Sequence, residues 1–227
     1  MSGHASLGDR MKKYEAVYDY GLTPRSPLII RCDGRAFHSF LRRAKKPFDN
    51  LMISSMIHAA QVTAKEMQGF KLAYIQSDEC TFVLTDYDDL NTQGWFDYRL
   101  SKVISIAAST FAVAFNYRYG SSTATFDARA FTMPIDDVPN VFVWRQQDWE
   151  RNSVQMLTRS HFSHKQCHGK NIPAMHDMLH GIGVNWAHLD DRLKNGTYIA
   201  RTGEEICEKL SYDAIVDLIA IEEKGEL

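Results

Sequence analysis

The chain has 227 residues, 44% of them hydrophobic and 24% charged, which suffices for a substantial core and excludes disordered and fibrous classes. Its formal net charge of -2 supplies no global basic field, so charge alone predicts no nucleic-acid partner and any such contact rests on local patches. No apolar run approaches a bilayer span, and the N-terminal MSGHASLGDRMKKYE lacks the apolar core of a signal peptide, so a cytoplasmic protein without a membrane partner is expected.

The first strand is expected over residues 28–33, where Leu28, Ile30 and Cys32 share one face and Ile29, Arg31 and Asp33 the other. Asp33 thus stands at the strand's C-terminal tip, a common ligand position in α/β folds. Gly34, without a Cβ, permits a sharp turn or the close approach of a ligand, although an isolated Asp-Gly is more often a plain turn. A helix follows, capped by Asp49 or Asn50, with Met52, Ile53, Met56, Ile57, Ala60 and Met67 at helical spacing. Two short strands, 72–76 and 80–84, flank Ser77, Asp78 and Glu79, predicting a tight hairpin with two carboxylates at its turn. A second helix is expected over roughly 95–115, its buried stripe running from Leu100 through Val103 and Ala107 to Phe111 and Phe115. A fourth strand alternates from Phe126 and ends at Pro134.

This order, β-α-β-β-α-β, is the ferredoxin-like split pattern. It predicts an α+β palm, an antiparallel sheet with helices on one face, as in many polymerases and nucleotide cyclases. Beyond it, DVPNVFVWRQQDWERNS suggests a short strand entering a helix, NIPAMHDMLHGIGVNW a short helix ended by Gly181 or Gly183, and the tail after Gly203 a terminal helix. A soft boundary near residue 135 separates a catalytic palm, 1–135, from a helical and irregular elaboration, 136–227, packed on it as one structural unit.

If the first strand lies beside the hairpin, Asp33 and Asp78 converge at one edge of the sheet. With the Gly34 carbonyl they form an all-oxygen site, suited to Mg²⁺ or Mn²⁺ rather than zinc. The four cysteines show no Cys-x-x-Cys spacing, which points to reduced structural thiols. HDMLH, His176 to His180, imitates a zinc motif with aspartate for glutamate, and His161, His164 and His168 are also close in sequence. No third ligand follows in the required context, so ordinary helix histidines are favoured, with RNA contact as a further use.

RCDGRAFHSF, KPFD, QSDECTFVL, RLSKVISIAAST, FDARAF and WRQQDWERNS occur in the order found in the tRNA(His) guanylyltransferase superfamily, which the chain resembles over about residues 10–203. The resemblance implies an enzyme that extends tRNA at its 5′ end, in the 3′-to-5′ direction. The 5′ end is activated by adenylylation or by an existing triphosphate and is attacked by the 3′-hydroxyl of an incoming nucleoside triphosphate, with ATP and GTP as substrates. Two Mg²⁺ ions, with Mn²⁺ as substitute, can stabilise the attacking and leaving oxygens.

The same resemblance implies that Asp33, Asp78 and the Gly34 carbonyl hold metal. Glu79 is either a catalytic carboxylate or an ion-pair partner. Gly34, Arg35, Ala36, Phe37 and His38 lie where the family holds a nucleotide, with Phe37 and His38 able to stack on its base, although Phe37 alone would more often be core. Lys46 and Asp49 match a Lys-Pro-x-Asp segment; Ser77 and Lys102 match positions near the triphosphate, lysine being a compact phosphate partner. Arg129, Asn152, Lys165 and Lys170 are the expected RNA contacts, with a salt bridge around Asp127 on the same strand as the plain alternative for Arg129. A dimer or tetramer is implied.

Glu150-Arg151-Asn152-Ser153 stands where eukaryotic members carry His-Ile-Asn-Asn. The segment after it is similar to a bacterial and archaeal branch associated with Watson–Crick-templated repair of 5′-truncated tRNAs. Templated repair is therefore the leading expectation. A dedicated, non-templated tRNA(His) guanylyltransferase, a nucleotide cyclase and a catalytically silent RNA-binding relative are the alternatives, the cyclase being disfavoured by the missing Gly-Gly-Asp/Glu-Glu-Phe signature.

Overall fold

The computed structural model describes residues 6–220. Helix α1 (Leu7–Ala16) leads into strand β1 (Leu28–Gly34), the one-turn α2 (Phe37–Phe40) and α3 (Asn50–Glu66). The hairpin β2 (Phe70–Gln76) and β3 (Glu79–Leu84) follows, then α4 (Leu100–Tyr119) and β4 (Phe126–Thr132). These build the expected α+β ferredoxin-like palm, with antiparallel strand order β4-β1-β3-β2.

The remainder wraps the palm. It consists of α5 (Val138–His161), α6 (His164–Cys167), α7 (Ile172–His180), α8 (Asp191–Asn195), β5 (Thr197–Ala200), β6 (Glu205–Ile206) and α9 (Tyr212–Ile219). Strand β5 pairs with β2, so the sheet has six strands in the order β4-β1-β3-β2-β5-β6.

Period-2 alternation sorts β1 as its sequence suggests. Leu28, Ile30 and Cys32 join α3 and α4 in one apolar cluster, whereas Ile29 joins Leu72, Tyr74 and Tyr198 against Val138, Phe142 and α9 in another. Both faces are therefore covered: α3 and α4 lie on one, and the C-terminal α5 and α9 on the face that a bare palm leaves open.

Three expectations need correction. No strand precedes α5, because Pro139 sits at a first-turn position that tolerates its missing N–H, and the valines of VPNVFV pack as helical residues. The second long helix begins later than residue 95: Phe96 and Asp97 adopt left-handed φ of 50° and 52°, breaking the chain before Leu100. Helix α4 is also long and apolar enough to cross a membrane by length and composition, but Val103, Ala107, Phe111 and Phe115 are fully buried in the palm's core.

Candidate active site

Strand β1 delivers Asp33 to the end of the sheet where the β2–β3 hairpin turns. Asp33 lies across from Glu79 on β3 and from Asp127 on β4. The Gly34 N–H donates to the Asp78 carbonyl at 2.9 Å, tying the strand tip to the hairpin turn. Ser77 takes φ of 49°, an uncommon value for a residue with a Cβ, and its hydroxyl donates to the Asp78 carboxylate at 3.0 Å. The structure thus brings Asp33 and Asp78 together through backbone geometry.

The electrostatics match. Burial raises the Asp33 carboxyl above its ordinary value, and the charges of Asp78, Glu79 and Asp127 raise it further against the opposing Arg129. Burial likewise raises Asp78, partly offset by the Ser77 hydrogen bond. Crowded carboxylates of this kind favour a cation. Among the described residues no group of three His, Cys, Asp or Glu side chains is placed to hold an ion. The available donors are two carboxylates and backbone oxygen, which fits Mg²⁺, an ion that keeps several waters and takes the rest of its shell from substrate phosphates.

Glu79 is not a turn residue. It opens β3, is 8% exposed, and accepts two hydrogen bonds from Arg145, at 2.7 and 2.9 Å. Arg31 approaches the same carboxylate at 3.4 Å, and the Arg31 and Arg145 guanidiniums lie 5.0 and 4.6 Å from the Trp144 ring. With both its oxygens held by Arg145, Glu79 takes the ion-pair role, bracing the hairpin from behind.

The segment after the tip divides sharply. Phe37 is 2% exposed and packs among Phe40, Phe115 and Phe126 with ring centroids 5.0 to 5.4 Å away, so it is core and is not placed to stack on a base. Its position also explains Gly34: a Cβ there would sit 2.4 Å from the Phe37 ring. The close approach read from Gly34 is that of a side chain. Ala36 turns the chain with left-handed φ of 57°, leaving Arg35 and His38 exposed.

Lys46, Asp49 and Ser77 line one cleft, together with Phe48, Gln76, Trp149, Met156 and Arg192. Asp49 caps α3, accepting from the Met52 and Lys45 N–H groups, each at 2.9 Å. Burial pulls its carboxyl upward, but these backbone donors hold it below the ordinary value. Two atoms of the cleft residues, Gln76 Oε1 and Trp149 Nε1, are buried without a hydrogen-bond partner.

Lys102 is elsewhere. Strand β3 returns to the Leu84 end of the sheet before α4 begins, and Leu100 bonds Tyr20, upstream of β1. The sheet's length, about 20 Å for seven residues, separates the first turn of α4 from Asp33, and Lys102 instead lies over the Phe96 ring. Within this chain it cannot serve a phosphate at the tip.

Arg129 is exposed on the Asp33 side, 3.4 Å from Asp127. Asn152 donates to Asp148 at 3.2 Å, and Lys165 and Lys170 are exposed further along. His176 packs edge-on against Trp186. From the sequence Asp127 enters only through the salt-bridge alternative for Arg129, and its place across from Asp33 was missed, although the alternation of FDARAF puts it on the face of Arg129. Sequence reasoning also missed Arg145 and Trp149, whose roles arise from contacts far along the chain.

A family model described as Thg1, tRNAHis guanylyltransferase, matches residues 8–134. A bacterial tRNA(His) guanylyltransferase (Thg1)-like protein in complex with ATP superposes with a TM-score of 0.82 and 39% identity over 86% of each chain. A second such structure, in complex with GTP, gives a TM-score of 0.73 and 35% identity over 86% of this chain and 84% of that one. The tRNA(His) guanylyltransferase of Schizosaccharomyces pombe is 28% identical over 82% of this chain and 77% of that protein.

Proposed function

Because the chain belongs to the Thg1 family of tRNA(His) guanylyltransferases, and so to the nucleotidyltransferases, we propose that it extends 5′-truncated tRNA in the 3′-to-5′ direction, each nucleotide chosen by the opposing base. The observation that carries the site is the union of Asp33 and Asp78 through the Gly34–Asp78 hydrogen bond, beside a cleft holding Lys46, Asp49 and Ser77. ATP and GTP, which the bacterial relatives bind, are the nucleotides we assign to this cleft.

Asp33, Asp78 and the Gly34 carbonyl would hold Mg²⁺, which when bound neutralises phosphoryl oxygens and stabilises the attacking and leaving oxygens of an in-line displacement. The chain's own residues prepare that chemistry. Ser77 orients the Asp78 carboxylate, and Arg145 fixes Glu79 so that the first residue of β3 cannot shift away from Asp33. Lys46, whose ammonium donates to the Leu41 carbonyl at 3.4 Å, brings a cation to the cleft, and His38 an exposed imidazole to the tip. Arg129, flanking Asp33, is suited to the 5′-phosphate of the RNA.

Support for template direction comes from residues 150–153. Glu150 pairs with Lys209 at 2.7 Å, Arg151 and Asn152 bond Asp148, and Ser153 is buried and accepts from the Trp186 indole at 3.0 Å. All four side chains are thus engaged within the chain, which supports base choice by pairing with the opposite strand. The test supplies each nucleoside triphosphate separately to 5′-truncated tRNAs that differ only at the opposing position. Changing that base from C to A should switch the preferred addition from G to U. Guanylate addition regardless of that base would instead establish a dedicated guanylyltransferase.

A further inference from the structure

From Arg151 to His176 the chain contains no aspartate or glutamate, yet it carries Arg151, Arg159, Lys165 and Lys170 together with four histidines. In a protein of net charge -2 this is a local reversal of sign. The fold gathers part of it into a cleft of about 210 Å³ where the last turns of α5 meet α6 and the turn before α7. Gln155, Arg159, His164, His168 and Lys170 line it, and no acidic residue does.

Four basic residues elsewhere in the C-terminal part are neutralised: Arg151 by Asp148, Arg192 by Glu205, Lys194 by Asp191 and Lys209 by Glu150. Arg159 and Lys170 have no ion pair or side-chain hydrogen bond among the described residues. Cations that converge without counter-charge await an anion. The shape limits which anion. The cleft is smaller than the roughly 300–1,000 Å³ of small-molecule sites, too small to enclose a sugar and base along with a phosphate, and its only rings are the imidazoles of His164 and His168. What fits is a phosphate whose sugar and base project outward, as in a polynucleotide backbone.

Its position agrees. Met156 lines the nucleotide cleft and its neighbour Gln155 lines this one, so the two open on adjacent sides of one helix. From Arg145, which clamps Glu79, to Arg159 is about 21 Å along α5 at 1.5 Å per residue. We propose that this cleft is a second RNA-docking site, in which Arg159, Lys170, His164 and His168 hold a backbone phosphate of the tRNA while its 5′ end occupies the Asp33–Asp78 tip. The proposal rests on the RNA-directed function above and adds where the body of the substrate is gripped.

The test measures tRNA binding and ATP binding separately, as a function of salt, for wild type, Arg159→Gln/Lys170→Gln and His164→Gln/His168→Gln. The arginine–lysine double variant should bind tRNA about tenfold more weakly near physiological salt and lower the slope of log affinity against log salt by about two, one per lost contact. ATP affinity and thermal melting should match wild type. Unchanged tRNA affinity and slope in both double variants, with a wild type that extends tRNA, would overturn the docking site alone. A wild type that neither binds nor extends tRNA would remove the functional reading and the docking site together. An equal loss of ATP and tRNA binding would make the cleft a triphosphate site and likewise overturn the proposal.

Discussion

At the residue scale, the two tip aspartates set function against stability. Both carboxyls are raised, Asp33 by burial and then by its acidic neighbours, Asp78 by burial. A carboxyl whose folded pKa exceeds its unfolded one binds its proton more tightly in the native state, so its contribution to stability is present at low pH and is lost as pH rises through the folded value. At pH 7, without metal, each aspartate therefore opposes folding. Asp33→Asn and Asp78→Asn are each expected to raise the metal-free melting temperature while abolishing nucleotide addition. Calorimetry at pH 7 and at pH 4 checks the sign: the gain should shrink at the lower pH, and a lower melting temperature at pH 7 would remove the proposed charge crowding. These aspartates were legible in the sequence because strand alternation and a hairpin turn are local signals. Phe37 was legible in part: its residue type favoured the core, but the left-handed Ala36 that turns it inward has no sequence signature and its partner Phe115 is remote. The Arg145 clamp on Glu79 spans 66 positions, beyond any local pattern.

At the element scale, Asp49 both starts α3 and faces the nucleotide cleft, and the two roles can be separated. Its carboxyl is held low by backbone N–H groups against the pull of burial, so the stability it adds is present above the unfolded pKa and is lost as pH falls through the folded one. Asp49→Ala should cost about 1 kcal/mol through the lost cap, whereas Asp49→Ser should recover most of it, serine being a comparable cap. Measured in parallel, a nucleoside triphosphate affinity that drops in both variants assigns Asp49 to the nucleotide; one that Asp49→Ser restores assigns it to the cap. Helix α3 was readable because its cap and apolar spacing agree. Helix α5 was misread at its start because Val138, Val141 and Val143 suit a strand locally, and only burial against Leu72 and Tyr198 makes the segment helical. Strand β5 went unseen: its four residues are too few for periodicity, and pairing with β2 creates it.

At the scale of the whole molecule, the second apolar cluster joins Ile29, Leu72 and Tyr74 of the palm to Phe142, Tyr198 and Ile215 from beyond residue 135. Removing the C-terminal part would expose one complete face of the sheet. Urea unfolding should therefore be a single transition, coincident by far-ultraviolet dichroism and by tryptophan fluorescence, with Trp95 reporting on the palm and Trp144, Trp149 and Trp186 on the remainder. Two resolved transitions would instead make residues 1–135 an independent domain. The β5–β6 extension also decides how the sheet terminates. At one margin stands a strand of only two residues, Glu205–Ile206, and at the other β4 carries the exposed charges of Asp127 and Arg129. Each is a poor template for a foreign strand, one for want of unpaired amides and the other for the cost of stripping water from its charges. A sheet so finished should resist fibril seeding and strand exchange at the concentrations where a bare four-stranded palm would begin to stick to itself.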